Sequence, residues 1–461
     1  MKTFVLWLLL LLLAGCRGAP TRGEREARRQ LQAVAGSYRP HDRKPELPPL
    51  SGQSGLSNYL ACALLNQPRV EAAYFDWRAS VERITLARSL PDPQFTFQMD
   101  IQSVVTSVMP GLMGVVPWPG RPRLGAEVAS AESAAKRAAF EAADLRSAFD
   151  LKRAYYQLHL QTERLRVNRE TLALWSQEER LARARNEAGQ NTLAEVLEIR
   201  AEQDRLRAAI ANLEDSRAAW MAQFKAALGL QAADPEPPLP ERFESTPAGL
   251  TPDEWLTTAL ARNQRLKAMA ADVQAAEAAL QLARKDRLPD FNLGLMADVQ
   301  MQPVLYRPAG TLSLPLWRDK IAARIAEAQA GKRAAEARLT AEEIALAADF
   351  AGRAFLYREA ERALALLKDQ LLPQARQALA VTRAEYLAGQ ADFFRLLERT
   401  RALLSLELEQ AEAATQREIM LAELSLIIQG MPPAERPPEA LAASRDPASS
   451  ASITTLTPND L

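Results

Sequence analysis

The chain is poor in most of what builds a chemical centre. Its 461 residues include only two Cys and two His, too few for a disulfide framework and almost too few for a Cys/His metal centre. Nineteen Gly and 6% aromatic residues are also sparse for this length. Lys plus Arg and Asp plus Glu both number 57. There is thus no basic surplus to neutralise phosphates, which argues against nucleic acid as a partner. No nucleophile–base pair, phosphate-cradling Gly loop or zinc spacing is present, so no catalytic residue, metal ligand or cofactor is expected, and an enzyme is the least favoured class. His41 and His159 read as ordinary polar positions. The apolar run from Phe4 to Leu13 is too short for a transmembrane helix, which needs about twenty residues.

What that run does fit is a secretory signal over residues 1–15. Met1-Lys2-Thr3 is a basic start, and Ala14 and Gly15 are small residues before a cut site. Leu13-Ala14-Gly15-Cys16 resembles the bacterial lipobox, in which the Cys sulfur receives a diacylglycerol. Cys16 is therefore the expected lipidation site, and two or more acyl chains hold a protein stably on a bilayer. The alternative is an ordinary signal with a coincidental Cys. Residues 16–52, rich in Arg, Pro and Gln, read as an extended tether, and residues 431–461 as a disordered tail.

Between these ends the sequence repeats itself. Asn66-Gln67 recurs as Asn263-Gln264, Leu86-Ala87-Arg88 as Leu282-Ala283-Arg284, and Leu90-Pro91-Asp92 as Leu288-Pro289-Asp290. Lys136-Arg137 recurs as Lys332-Arg333 and Ala188-Gly189-Gln190 as Ala388-Gly389-Gln390. All five offsets lie close to 200 residues, so residues 53–230 and 253–430 form a duplicated unit joined by a linker over 231–252.

Each unit predicts the same four parts. A helix (about 56–89 and 253–287) is followed by strands, where Gln94 to Gln102 and Gly310 to Leu316 alternate polar and apolar residues. The echo at Phe291 to Met296 and the more apolar stretch Gly111 to Trp118 complete about four candidate strands. A long helical tract follows (about 124–188 and 320–388), the second interrupted by Pro373, which should kink it. A shorter helix (about 193–228 and 393–427) closes each unit, with Leu206, Ile210, Leu213, Trp220 and Phe224 on a coiled-coil-like seam. At 1.5 Å per residue a long tract reaches roughly 100 Å, about the length of two shorter helices in line. Each unit thus builds a rod, strands at one end and a Gly-Gln turn at the other.

Four strands cannot close a barrel, and only closed barrels survive in lipid. Closure then needs several chains. Val104, Val105, Val108, Met109, Leu112, Met113, Val115 and Val116 suit lipid contact, with Trp118 and Trp317 as interfacial aromatics. The alternative is a small soluble sheet capping a coiled coil. Met99, Met109, Met113, Met296 and Met301 crowd the strand regions. They read either as apolar filling and lipid contact or, for a copper or silver exporter, as soft ligands.

Taken together, the lipobox, the Asn66 and Asn263 helix starts, the Leu-Pro-Asp segments, Pro117-Trp118-Pro119-Gly120, Leu314-Pro315-Leu316-Trp317 and the two Gly-Gln turns resemble the TolC-like outer-membrane factor family over about residues 56–430. The Pro-Trp-Pro-Gly segment is similar to members that serve heavy-metal efflux pumps. The resemblance implies a mainly α fold with a small transmembrane β part, assembled as a homotrimer whose β-barrel in the outer membrane continues into a periplasmic α-barrel. It implies a passive efflux duct for ions or small molecules. Its partners would be a periplasmic adaptor, an inner-membrane resistance-nodulation-division pump and outer-membrane lipid. Gly189, Gln190, Asn191, Gly389, Gln390 and Ala391 would be the adaptor-docking tips. Tyr386, Arg395 and Glu398, with Glu195 and Glu198 of the first repeat, would surround a constricting aperture. A family acidic position is here Arg395, which puts a simple acidic ring in question. Three readings from other classes stand beside this one: a lipid-anchored coiled-coil scaffold without a pore, the periplasmic adaptor itself, and an enzyme. Two hairpins with little strand count against the adaptor.

Overall fold

The computed structural model describes residues 19–101, 105–241, 244–246 and 252–428. The signal segment, Cys16 and the tail 431–461 lie outside the described residues. The first repeat comprises α2 (Leu56–Asn66), α3 (Pro68–Arg88), β1 (Gln94–Ile101), β2 (Val105–Val116), α4 (Arg121–Glu187) and α5 (Leu193–Ala227). It is preceded by α1 (Arg22–Tyr38). The second repeat comprises α6 (Pro252–Arg262), α7 (Gln264–Lys285), β3 (Asp290–Asp298), β4 (Leu305–Ser313), α8 (Arg318–Leu366), α9 (Leu372–Leu387) and α10 (Phe393–Ile428). The duplication is therefore a duplication of structure.

The first helix expected in each repeat is two helices, broken at Gln67 and at Asn263. Pro68 cannot donate to the preceding turn but fits the first turn of a new helix, so α3 starts there. Asn263 caps α7, its side-chain oxygen accepting from the amides of Arg265 (2.9 Å) and Leu266 (3.1 Å). Both breaks serve a second purpose. Asn66 Nδ2 donates to the Leu228 carbonyl (2.8 Å) and Asn263 Nδ2 to the Ile427 carbonyl (2.9 Å). Each Asn thus ties the end of one long-range helix (α5 or α10) to the start of another (α3 or α7). The two short helices run in line beside one long one, as the lengths require. The 67-residue α4 spans about 100 Å and packs on α3, α5, α7 and α10. The helix pairs therefore share one core. Leu60, Leu151, Tyr155, Phe224, Leu424 and Tyr357 meet where helix ends from both repeats converge.

Pro373 does not break the second long tract. A π turn over Leu367–Leu371 precedes it, and the wider i→i+5 spacing makes room for the ring and the lost donor.

The four strands form one antiparallel sheet in the order β1-β2-β3-β4, with β1 and β4 as free edges. The last strand begins at Leu305, earlier than the alternation from Gly310 suggests, and stops at Ser313 short of Pro315, a residue with no amide to give a ladder. Arg121 at the start of α4 binds both Asp286 and Asp290, pinning the first repeat's long helix to the second repeat's strand.

One expectation fails outright. The segment expected as an extended tether holds the helix α1, docked across α3 and α4. Thr21 accepts from the Glu24 amide (3.1 Å), a helix N-cap. Ala27, Leu31, Val34, Ala35 and Tyr38 pack with Val70, Tyr74, Trp77, Val81 and Phe140. Glu24 is only 1% exposed and is matched by Arg28, Arg88 and the Thr85 hydroxyl. Its burial opposes ionisation, but those donors outweigh it and hold the carboxyl below its usual range. Arg- and Pro-rich composition concealed a helical stripe that was there at i, i+4, i+7, i+8 and i+11.

Candidate functional site

Two regions carry chemistry: the sheet at one end of the rod and the hairpin turns at the other. In the sheet, side chains alternate faces, and the register sorts them. Phe95, Phe97 and Met99 on β1 lie opposite Leu112, Pro110 and Val108 on β2. Leu112, Gly114 and Val116 lie opposite Leu295, Leu293 and Phe291, which lie opposite Pro308, Gly310 and Leu312 on β4. One face is thus apolar across all four strands, and it stands open, with Phe95 72% and Leu293 59% exposed. The other face carries Gln94, Thr96, Gln98, Ser107, Asn292, Asp298, Arg307, Thr311 and Ser313. On it Ser107 donates to Asp298 (2.9 Å) and Asn292 to Thr311 (2.9 Å).

This corrects the reading of the apolar cluster in the first repeat. Val108, Leu112 and Val116 lie on the apolar face, but Met109, Met113 and Val115 lie on the polar one. A run that is apolar at every position cannot be sorted by alternation alone. Val104 is outside the described residues. Trp118, just beyond β2, stacks on Phe291 (6.0 Å between ring centres) and Trp317 is exposed at the start of α8.

At the other end the two turns are built alike. Gly189 (φ +71°) and Gly389 (φ +74°) adopt the left-handed conformation that side chains resist. Gly189 donates to the Asn186 carbonyl (2.9 Å) and Gln190 to Arg185 (2.8 Å). Gly389 and Gln390 do the same to Tyr386 (3.1 Å) and Glu385 (2.8 Å). This is the paired-bond helix stop of the Schellman motif, twice. Gly189, Gln190, Gly389 and Gln390 are exposed, and Asn191 and Ala391 half-buried. Leu193, Leu197, Leu387 and Phe394 stand exposed around them, at 49–61% of their full surface.

The two hairpins touch just behind their turns. Tyr386 is buried on α9 and its hydroxyl donates to Glu195 on α5 (3.3 Å). The Arg185 guanidinium lies over the Tyr386 ring, 4.8 Å from its centre. It also donates to the carbonyls of Tyr386 (3.2 Å) and Leu387 (2.8 Å) at the end of α9, where the helix dipole favours a cation. Glu198 pairs with Arg401 (3.0 Å), which also binds Glu202. Arg383 pairs with Glu178 (2.7 Å), whose carboxyl burial pushes up against the pull of that Arg. Glu179 accepts from Arg200 (2.9 Å), Gln203 (3.0 Å) and Arg183 (2.9 Å), and is held down at about 2.

Of the five aperture candidates, the fold brings Tyr386 and Glu195 into contact. It gives Glu198 a partner in the other hairpin, leaves Glu398 exposed, and sets Arg395 4.0 Å from Glu385 on its own hairpin. Sequence reasoning missed Arg185, Arg401 and Arg383. A cation in the last turn before a helix-ending Gly is a signal for carbonyl capping, and Arg185 carried it. Its target in the other hairpin, however, was invisible. His159 is half-buried in α4, and burial disfavours its charged form. Among the described residues, no three His, Cys, Asp or Glu side chains converge to hold a metal ion, and no helix is long and apolar enough to cross a membrane.

Residues 255–429 match the model of the outer membrane efflux protein family. No curated protein sequence matches the chain. Among solved structures the chain is similar to the outer membrane protein VceC of Vibrio cholerae, with a TM-score of 0.69 and 16% identity over 81% of this chain and 96% of that one. It is similar to the open-state MtrE outer membrane channel of Neisseria gonorrhoeae (TM-score 0.69, 18% identity, 84% of this chain and 94% of that one). It is similar also to CusC, whose structures concern folding and transmembrane channel formation (TM-score 0.69, 15% identity, 84% and 98%). At these identities the likeness is one of fold alone.

Proposed function

We propose that this chain is an efflux-family outer-membrane channel, working as a homotrimeric, non-enzymatic exit duct anchored by lipid at Cys16. It receives its cargo from an inner-membrane resistance-nodulation-division pump through a periplasmic adaptor. The observation that carries the reading is the sheet: four strands, one wholly apolar face, one polar face and two unpaired edges. In water that apolar face would be an aggregation surface. In lipid the free edges of β1 and β4 would be untenable. Both problems vanish if β4 of one copy pairs with β1 of the next. Three copies supply about twelve strands, an even number that leaves a water-filled lumen lined by the polar face. The long exposed stretch of α8, with Ile344 68% and Phe355 52% exposed, supplies the helical contact surface of the same ring.

The exposed Gly-Gln turns, rimmed by Leu193, Leu197, Leu387 and Phe394, suit tip-to-tip contact with an adaptor's coiled coil. The Pro117-Trp118-Pro119-Gly120 segment, similar to that of members serving heavy-metal pumps, supports a metal ion as the cargo. A scaffold without a pore leaves the apolar face of the sheet unexplained. The test is purification of the full chain. Heat-modifiable trimers that conduct in planar bilayers are expected, whereas a de-acylated monomer soluble without detergent and with folded strands would end the proposal.

A further inference from the structure

The polar face of the sheet contains an anomaly. Met109, Met113 and Met296 lie on it, on the same face as Gln94, Gln98, Ser107 and Asn292. They are also neighbours. Met109 and Met113 flank Gly111 on β2, two residues to either side, and Met296 on β3 is the direct cross-strand partner of Gly111. Diagonal neighbours in a sheet are about 7–8 Å apart, within reach of long side chains.

Gly111 is the floor of the arrangement. A Cβ there would lie 2.6 Å from Met296 Cγ and 2.9 Å from Thr96 Oγ1. Met296 therefore folds over the bare backbone between the other two methionines, and Thr96 approaches from β1 on the opposite side. That hydroxyl oxygen is buried and has no hydrogen-bond partner among the described residues. Met109 is only 3% exposed. The register thus groups three methionines and an unpartnered hydroxyl oxygen about Gly111, a position with no side chain of its own.

We propose that Met109, Met113 and Met296, with Thr96 Oγ1, form a passing site for a soft monovalent cation, copper(I) or silver(I), on the lumen wall. Thioethers select such ions over hard cations. All four donors are neutral, which suits a singly charged ion held loosely. Arg307, the β4 partner of Met296, is a cationic neighbour, and it lies 3.5 Å from the buried carboxylate of Asp298. A conducting pathway needs sites strong enough to enter and weak enough to leave. The assignment of this face to the lumen rests on the channel reading; the grouping of the donors rests on register alone.

The test uses full-length trimers in detergent, titrated with silver nitrate in chloride-free buffer, with bound metal measured at equilibrium across a dialysis membrane against free silver. Wild type should saturate at about one silver ion per chain, as one three-sulfur donor set implies. The triple variant Met109→Leu, Met113→Leu, Met296→Leu, nearly volume-conserving and so expected to fold, should lose that ion. It should keep heat-modifiable trimers. Met99→Leu, on the apolar face, should keep it. Binding should also be flat between about pH 5 and 8, since thioethers release no proton on binding, unlike Cys or His ligands. No bound silver in wild type, or equal silver in the triple variant, overturns the site. Trimers that bind silver but do not conduct leave the site standing and remove its role in passage.

Discussion

The contact between the hairpin tips makes a quantitative demand. Arg185 gives two hydrogen bonds to carbonyls at the end of α9 and sits over the Tyr386 ring. Arg185 is half-buried. Discounted for that, each charged hydrogen bond contributes about 1 kcal/mol, and the ring contact about 0.5–1 kcal/mol. Arg185→Ala therefore removes about 2–3 kcal/mol of inter-hairpin attraction per protomer, a roughly 30- to 150-fold shift toward separated tips. If the tips constrict the duct, trimers of this variant should show larger or longer-lived conductance than wild type in planar bilayers. Arg185→Lys should fall between, because an ammonium keeps the charge but loses the planar fork that reaches both carbonyls. Identical conductance and open lifetimes in all three proteins would refute the reasoning, leaving the Arg185 contact a matter of packing only.

Three further outcomes are expected. Asn263→Ala should cost about 2 kcal/mol, since it loses both the helix cap and the bond to Ile427, and Asn66→Ala should cost about as much, since it loses the bond to Leu228 and the one that Lys44 gives its side-chain oxygen; thermal unfolding followed by helical circular dichroism measures both. Glu179 is held at about 2 by Arg200, Gln203 and Arg183. Its stabilisation is full above the ordinary carboxyl value and is lost as pH falls through the range down to about 2, so the stability gap between wild type and Glu179→Gln should be widest near neutrality and vanish near pH 2. Gly389→Pro, or a bulky charged residue at Gln390, should abolish export while trimers remain in the outer membrane; unchanged resistance of the cells would count against docking through these turns.

Much of the fold was legible because it is written in local patterns. The two repeats, the long helices, the four strands and the Gly-Gln stops each follow from a period or a turn residue acting over a few neighbours. Helix α1 was legible too, in Thr21-x-x-Glu24 and the Ala27–Leu31–Val34–Tyr38 stripe, and was obscured only by weighing composition above period. The π turn before Pro373 follows from proline's missing donor, although the sequence alone could not choose between a kink and an absorbed bulge.

What the sequence could not decide was which surface meets which. Alternation places Met113 opposite in face to Leu112, but only pairing with β3, some 180 residues away, says which face is wholly apolar. The Gly before Gln190 stops a helix by local geometry. That Arg185 four residues earlier caps a different helix, at Tyr386 and Leu387, depends on two hairpins lying side by side. A chain encodes its local conformation through neighbours whose separation is fixed by covalent geometry. Contacts between distant segments depend on how whole helices and strands pack, and so Gly111, Met296 and Thr96 come together only in the folded sheet.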